Sequence, residues 1–184
     1  MSPSKYARLE HERRFLVSPD SGWQAHIKPY SKLFQDRYLA CGRLRIRRIE
    51  DSDTGNVTFK LTKKFESQSS FSQPIVSIQL SGAEYETLAA LPGYDLSKTR
   101  HYQEHDGRIF SIDVFHGDLT GLIICETEAE TIEALQAVRF PPYARWEITQ
   151  DSLFTGGSLC RARWPEIEEA IAKIEARSRD AHPG

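Results

Sequence analysis

Apolar and polar residues alternate with the two-residue period of β-strands along much of the chain. In "LEHERRFLV" (9–17), Glu10, Glu12 and Arg14 fall on one face and the residues between them fall on the other. Because such stretches follow each other closely, they predict an antiparallel α+β architecture. The turn-rich "EDSDTGN" (50–56) predicts a hairpin between two strands. The further strand-like stretches are "RLRIR" (43–47), "VTFKLTK" (57–63), "PIVSIQL" (74–80), "RIFSIDVF" (108–115), "GLIICETEAE" (121–130) and "ARWEIT" (144–149).

Helices are predicted at four places between and after these strands. A short helix fits residues 21–28, and a second fits 131–138, before a Pro-Pro pair. Ser81 and Glu84 have the spacing of a capping box, which predicts a helix that stops near residues 92–93. The tail predicts a helix over 165–180, with one apolar face formed by Ile167, Ala170, Ile171 and Ile174.

The charges on the polar faces are sorted by strand. Cations dominate the earlier strands, whereas Glu126 and Glu128 form a pair of carboxylates late in the chain. An ordinary sheet with a solvated face explains the alternation but not this sorting. Adjacent arginines repel each other unless they face a polyanion such as phosphate, and paired carboxylates suit hard divalent cations. A closed barrel would place both sets around one cavity. The cations on shared faces are Arg43, Arg45, Arg47, Lys60, Lys64, Lys98 and Arg100.

Composition sets wider bounds on fold and location. The 184 residues suffice for one domain with a sizeable core, and 39% hydrophobic with 27% charged residues is an ordinary balance for a folded chain. The net charge of −2 argues against a nucleic-acid partner. Three cysteines in no metal-binding spacing predict free thiols. With no signal-like N-terminus and no bilayer-length apolar run, the prediction is a cytoplasmic protein without a membrane partner.

Across residues 8–160 the chain resembles the CYTH domain family, also called triphosphate tunnel metalloenzymes. "EHERRFLV" resembles the family's opening E-x-E-x-K strand. "IDVFHGDLTGLIICETE" resembles its D-x-F-x-G-x-L-x-G-L…E-x-E run. Each match alone is weak, but all fall in family order. The other matching stretches are "FQDRYL" (Q-x-x-Y-L), "RLRIR" (R-x-R), "TFKLTKK" (T-x-K), "LSKTRHY" (K-x-R) and "WEITQDSLFTGGSLC" (the closing strand and loop).

The resemblance implies a single domain over residues 1–184. It would be an eight-stranded antiparallel β-barrel that forms a tunnel, with helices packed outside. It also implies that a linear triphosphate binds to the basic side chains, with Mg²⁺ or Mn²⁺ held by carboxylates. By position, the phosphate-binding candidates are Arg43, Arg45, Arg47, Lys60, Lys98, Arg100 and Arg145, and the metal-ligand candidates are Glu10, Glu12, Asp113, Glu126 and Glu128.

Arg14 departs from the family pattern, which has lysine at this position. Because arginine stays protonated, Arg14 is expected to act as an electrostatic clamp on phosphate rather than as a base. A lysine should then replace it with little loss. Tyr38 becomes the candidate for positioning the attacking water. The scattered histidines are expected to be exposed or structural; they are His11, His101, His105 and His116.

The predicted function is metal-dependent hydrolysis of a triphosphate, with inorganic tripolyphosphate favoured because no aromatic cluster marks a pocket for an organic group. Trp23, Trp146 and Trp164 are interpreted as packing residues. Three alternatives stay open: an adenylyl cyclase, a thiamine triphosphatase, and a non-catalytic sensor of polyphosphate or nucleotide. The oligomeric state, monomer or homodimer, is also open at this point.

Overall fold

A computed structural model describes residues 5–180 and shows nine strands and four helices. Residues 1–4 and 181–184 of the predicted domain lie outside the described part. Three of these strands overlap the strand-like stretches predicted at 43–47, 74–80 and 121–130. The strands are β1 (Arg8–Val17), β2 (Ser31–Leu39), β3 (Leu44–Asp51), β4 (Val57–Lys64), β5 (Ser72–Leu80), β6 (Gly93–His105), β7 (Arg108–Phe115), β8 (Ile123–Ala129) and β9 (Ala144–Glu147).

Eight of these strands close into an antiparallel barrel. The hydrogen-bonded order is β5-β4-β3-β2-β6-β7-β8-β1, and β1 also pairs with β5, which joins the two edges. The closure uses the first half of β1, where Arg8 lies opposite Ile75 and His11 opposite Ser72. The ninth strand, β9, pairs only with the end of β1 and lies beside the barrel. The predicted α+β fold with an eight-stranded barrel is therefore confirmed.

Strand alternation places charged side chains in the barrel interior and, along β1, β7 and β8, apolar side chains in a core outside it. Glu10, Glu12 and Arg14 of β1 line the interior cavity. Phe15 and Val17 lie on the opposite face, in an outer core with Trp23, Phe110, Ile112, Ile123, Cys125, Val138 and Tyr143. One end of β1 thus contributes to the interior and to the outer core through successive residues, as a two-residue period requires.

The helices are α1 (Gly82–Ala89), α2 (Ile132–Gln136), α3 (Gly156–Leu159) and α4 (Trp164–Asp180). The capping box at α1 is confirmed, since Ser81 Oγ accepts from the Glu84 amide and the Glu84 carboxylate accepts from the Ser81 amide. The predicted short helix after residue 20 is a 3-10 turn at Trp23–His26. Helix α3 was not predicted, because "GGSL" is too short and glycine-rich to show helical periodicity.

Residues 148–160, here called the closing segment, cover one end of the barrel. They include α3 and the 3-10 turn Ser152–Phe154. Phe154 and Leu159 of this segment are buried in a core that also holds interior-facing residues of the strands. That end of the barrel is therefore filled by apolar side chains. The strand and loop residues in this core are Leu16, Leu96, Phe115, Leu119, Leu122 and Ile124, and the core also contains Ile148 and Ile167.

The structure also bears on the sequence predictions about free thiols and about membrane-spanning segments. Cys41, Cys125 and Cys160 are all free, as expected. Burial raises the pKa of the Cys125 thiol, so this group stays neutral. Within residues 5–180, no helix has both the length and the apolar character needed to cross a membrane.

Candidate functional site

The barrel interior contains a cavity of about 960 Å³. Its wall combines cations and carboxylates from β1, β2, β3, β4, β6 and β8, and the closing segment forms its covered end. Apart from Asp113 and Arg145, every predicted site residue lines this cavity. They are Glu10, Glu12, Arg14, Tyr38, Arg43, Arg45, Arg47, Lys60, Lys98, Arg100, Glu126 and Glu128.

Asp36 of β2 organises two arginines of the neighbouring strand β3, Arg45 and Arg47. Its carboxylate accepts from Arg47 through Nε and Nη2, the second at 2.6 Å, and lies 3.8 Å from Arg45 Nη1. Burial opposes ionisation of Asp36, but Arg47 and Arg45 outweigh it and hold the pKa of this carboxyl below its usual value. Asp36 is therefore a buried anion that fixes both guanidinium groups at the cavity wall.

A second buried carboxylate, Asp113 of β7, organises Lys98 and Arg100 of β6. Asp113 accepts from Arg100 at 2.6 and 2.7 Å and from Lys98 Nζ. Although burial opposes its ionisation, the charges of Arg100 and Lys98 hold the pKa of Asp113 far below its usual value. The side chain has no solvent exposure and does not line the cavity, so the structure does not support its prediction as a metal ligand. Asp113 instead acts as the counter-ion of two phosphate-binding candidates.

Four glutamates share the cavity with these cations. Glu12 and Glu128 lie directly opposite each other on β1 and β8. Partial desolvation in the cavity, together with the charges of Glu10 and Glu12, raises the pKa of Glu128. Glu10 is paired with Lys64 Nζ at 3.1 Å, and Glu126 accepts from Arg100 Nη2 at 2.6 Å. Glu12 and Glu128 thus form a like-charged cross-strand pair, which is unfavourable without a cation beside it.

This donor set fits a hard divalent cation, because carboxylate oxygens are the ligands such ions prefer. In the part of the chain that the structure describes, no three side chains of the His, Cys, Asp or Glu type converge closely enough to enclose a metal by themselves. Phosphate oxygens or water would have to complete the coordination of an ion held between Glu12 and Glu128. That is the usual situation for Mg²⁺ bound together with substrate phosphates.

Arg14 and Tyr38 meet the closing segment from the barrel wall. Arg14 donates from Nη1 to the Phe154 carbonyl at 2.8 Å and from Nη2 to the Thr149 carbonyl at 3.0 Å. The Tyr38 hydroxyl packs against the backbone of Gly156, where a Cβ would collide with it. Burial raises the pKa of Tyr38, so its hydroxyl stays protonated and serves as a donor rather than a base.

The remaining cations differ in how freely they face the cavity. Lys60 is exposed to it, and no carboxylate within the described residues forms an ion pair with this amine. Arg43 also lines the cavity and donates to the Phe65 carbonyl at 3.2 Å. Arg145 lies on β9 outside the barrel, exposed, with its guanidinium over the Trp146 ring. The predicted placement of Arg145 in the interior is therefore wrong, because β9 does not form part of the closed barrel.

The sequence interpretation missed Asp36 and placed Lys64 only weakly. Asp36 alternates in phase with Phe34 and Tyr38, so the two-residue period of "LFQDRYL" could have placed it inside once β2 was treated as a barrel strand. None of the four histidines named above lines the cavity; His11 is buried on the outer side of β1, and the His116 ring is hydrogen-bonded to Thr99.

Comparison with known proteins gives relatives that share the fold and that this chain covers over most of their length. The inorganic triphosphatase of Nitrosomonas europaea is 30% identical over 152 residues, which is 82% of this chain and 95% of the relative. The crystal structure of the inorganic triphosphatase NE1496 superposes with a TM-score of 0.54 at 26% identity, covering 83% of this chain and 95% of the other.

A more distant structure and the search of family models complete the comparison. The PH1012 protein from Pyrococcus horikoshii, at 12% identity and a TM-score of 0.50 over 69% of this chain and 83% of the other, shares the fold alone. No family model matches the chain. The ordered strand motifs, the closed barrel with its charged interior, and the 30% identity to a triphosphatase agree. The chain therefore belongs to the same family as the inorganic triphosphatase of Nitrosomonas europaea, the CYTH family that its motifs resemble.

Proposed function

We propose that this protein hydrolyses inorganic tripolyphosphate to pyrophosphate and orthophosphate in a reaction that requires Mg²⁺ or Mn²⁺. The observation that carries the proposal is the cavity of about 960 Å³, in which fixed cations and a like-charged carboxylate pair face the same space. A linear polyanion compensates the cations, and a divalent cation compensates the carboxylates. Neither partner alone would compensate both sets of charges.

Two groups of cations, on the strands that flank β2, are the candidates for phosphate binding. Arg45 and Arg47 are held by Asp36, whereas Lys98 and Arg100 are held by Asp113. Because each group is fixed before substrate arrives, little side-chain entropy is lost on binding. Lys60 and Arg43 add charge with fewer internal contacts. The arrangement suits an extended chain of phosphates whose oxygens meet donors along its length.

Glu12 and Glu128 are the residues that would hold the metal, with Glu10 and Glu126 beside them. A divalent cation in this place supplies charge stabilisation to the phosphoryl group and lowers the pKa of a bound water. The chain's own contribution is to place these carboxylates near the cations that bind phosphate. Lys64 and Arg100 form close pairs with Glu10 and Glu126. Glu12 has a longer contact, 3.8 Å to Arg14 Nε, and Glu128 forms no ion pair with any described residue, so these two are the freer ligands.

Hydrolysis needs a water molecule in line with the phosphorus–oxygen bond that breaks. The water oxygen forms a bond to a terminal phosphorus, the bridging oxygen leaves with pyrophosphate, and one water proton passes to solvent or phosphate. Catalysis of this kind rests on positioning and charge stabilisation rather than on a strong protein base. Tyr38 contributes a neutral hydroxyl donor at the covered end of the cavity, where it can orient water or a phosphate oxygen.

The cavity favours an inorganic triphosphate over an ester. The three tryptophans pack elsewhere: Trp23 lies in the outer core, and Trp146 and Trp164 pack against the core at the covered end. The Phe34 ring lines the cavity, but the guanidinium groups of Arg47 and Arg100 lie over it at 4.5 and 5.2 Å from its centroid. The tryptophans are therefore not placed to stack on a nucleobase or thiazole in this cavity, and cations cover the Phe34 ring.

Orthophosphate release from a panel of triphosphates tests the proposal. With Mg²⁺ or Mn²⁺, we expect tripolyphosphate to be hydrolysed with the highest specificity constant, above ATP and thiamine triphosphate. Formation of cyclic AMP and pyrophosphate from ATP would favour a cyclase instead. Tight binding of tripolyphosphate without turnover would favour a sensor. Preference for thiamine triphosphate would overturn the assignment of an inorganic substrate.

A further inference from the structure

Arg14 of β1 is tied to the closing segment by hydrogen bonds of both its side chain and its backbone. Its two terminal nitrogens donate to the carbonyls of Thr149 and Phe154. Its amide donates to Thr149 Oγ1 at 3.0 Å, and its carbonyl accepts from the Ile148 amide at 2.9 Å. The side chain is 6% exposed, so these contacts are formed in a largely dry environment, where they are strong.

These contacts direct the terminal nitrogens of the guanidinium to the chain itself. Only Nε lacks a hydrogen-bond partner, and the nearest charged group to it is the Glu12 carboxylate at 3.8 Å. The two carbonyls use one N–H of each terminal nitrogen, and because they come from different residues of the closing segment they fix both the position and the plane of the guanidinium. The geometry of Arg14 therefore favours a contact with the chain itself over the expected clamp on substrate.

The closing segment in turn fixes Tyr38. Gly156 lies so close to the Tyr38 hydroxyl that any Cβ would displace the ring, with Cζ only 3.0 Å from the ideal Cβ position. A Cβ on the next residue, Gly157, would meet Tyr38 at 4.0 Å, which is ordinary contact. The guanidinium of Arg45, one of the phosphate-binding candidates, lies over the Tyr38 ring at 6.0 Å from its centroid. The position of Gly156 thus determines where the Tyr38 hydroxyl points.

We infer that Arg14 is a positioning residue: it latches the closing segment to β1, and the latched segment holds Tyr38 against Arg45 at the covered end of the cavity. The inference rests on the proposed function only for its kinetic consequence. A lysine cannot perform this role, because a single ammonium on a flexible stem does not present two N–H groups in a fixed plane to two separate carbonyls. This reverses the expectation that a positive charge alone suffices at position 14.

The first test follows the latch without any substrate. Amide hydrogen exchange over residues 148–160 should speed up by about tenfold or more in Arg14→Lys, while exchange in β3 and β4 stays as in the wild type. Unchanged exchange in the closing segment of Arg14→Lys would overturn the latch. This measurement remains valid even if the wild-type protein shows no triphosphatase activity, an outcome that would refute the proposed function alone.

The second test separates positioning from binding. In Arg14→Lys and Arg14→Ala, we expect kcat on tripolyphosphate to fall by about tenfold or more. The Kd for tripolyphosphate, measured by calorimetry with EDTA present, should stay within about threefold because the phosphate-binding cations remain. A phosphate clamp gives the opposite pattern: Arg14→Ala weakens binding, and Arg14→Lys restores binding and turnover. That pattern would overturn the inference.

The third test displaces the Tyr38 ring while Arg14 is left unchanged. Gly156→Ala should lower kcat by about tenfold or more because the new methyl group displaces the Tyr38 ring, whereas its matched control Gly157→Ala should stay within about twofold of the wild type. Thermal unfolding of both variants checks that each is folded. Equal kcat values for the two alanine variants would show that the seating of Tyr38 on Gly156 does not matter, and would contradict the proposed link between the latch and the site.

Discussion

Asp113→Asn is expected to lower the free energy of unfolding by about 3–5 kcal/mol, because it leaves the charges of Lys98 and Arg100 buried without their counter-ion. The native carboxylate has no solvent exposure and accepts from both cations. Chemical denaturation with urea measures the change. Turnover on tripolyphosphate should fall as well, since Lys98 and Arg100 lose the group that orients them toward the cavity.

A surface ion pair of similar geometry provides the control. Asp95 accepts from Arg37 Nη1 at 2.7 and 2.8 Å, but its side chain is 71% exposed. Asp95→Asn should therefore change stability by no more than about 1 kcal/mol. Equal effects of the two substitutions would contradict the role of Asp113 as a buried counter-ion.

The effect of Asp113→Asn should also depend on pH. Since the folded protein holds the pKa of Asp113 below its unfolded value, the stabilisation is fully present above the unfolded pKa of about 3.9 and is lost as pH falls below it. The difference in stability between wild type and variant should therefore be largest near neutral pH and should shrink below about pH 4. Repeating the urea denaturation from pH 7 down to pH 3 checks this.

Glu128→Gln is expected to reduce metal-dependent hydrolysis by about 100-fold or more, because a metal ligand in phosphoryl transfer is worth several kcal/mol. The concentration of Mg²⁺ or Mn²⁺ needed for half-maximal activity should rise in parallel. Stability should not fall: Glu128 forms no ion pair with any described residue, and its removal relieves the repulsion with Glu12. Steady-state kinetics at varied metal concentration, together with thermal unfolding, measures both effects.

Glu86→Gln on the exposed surface of α1 is the control for loss of one carboxylate. It should leave activity, metal requirement and melting temperature as in the wild type. If Glu128→Gln keeps full activity and an unchanged metal requirement, the metal does not lie between Glu12 and Glu128, and the acidic side of the cavity has another role.

Strand alternation and the family resemblance together predicted most of the charged residues that line the cavity. In a closed barrel, one face of every strand points to the same interior. Glu12, Arg45 and Glu128 each lie on the inward face of their own strand, so the alternation predicts that they line one cavity. The family resemblance implied that the sheet closes into a barrel, because no pattern within a single strand shows this closure. These two facts together place the charged groups without knowledge of any tertiary contact.

The sequence predictions failed at residues whose place in the strand alternation does not determine which groups they contact. Asp113 has the parity of an interior residue, but the charges of Lys98 and Arg100 hold it inside the wall, away from the cavity. Arg145 has the alternation of a barrel strand, but β9 pairs only with the end of β1. Neither the register between distant strands nor the path of the closing segment can be determined from a two-residue period.

Tripolyphosphate turnover followed by ³¹P nuclear magnetic resonance tests the central claim most directly. With Mg²⁺ or Mn²⁺ present, the wild-type protein should convert each tripolyphosphate into one pyrophosphate and one orthophosphate, and an excess of EDTA should stop the reaction. Absence of hydrolysis with either metal, or equal hydrolysis in excess EDTA, would contradict a metal-dependent triphosphatase in this cavity.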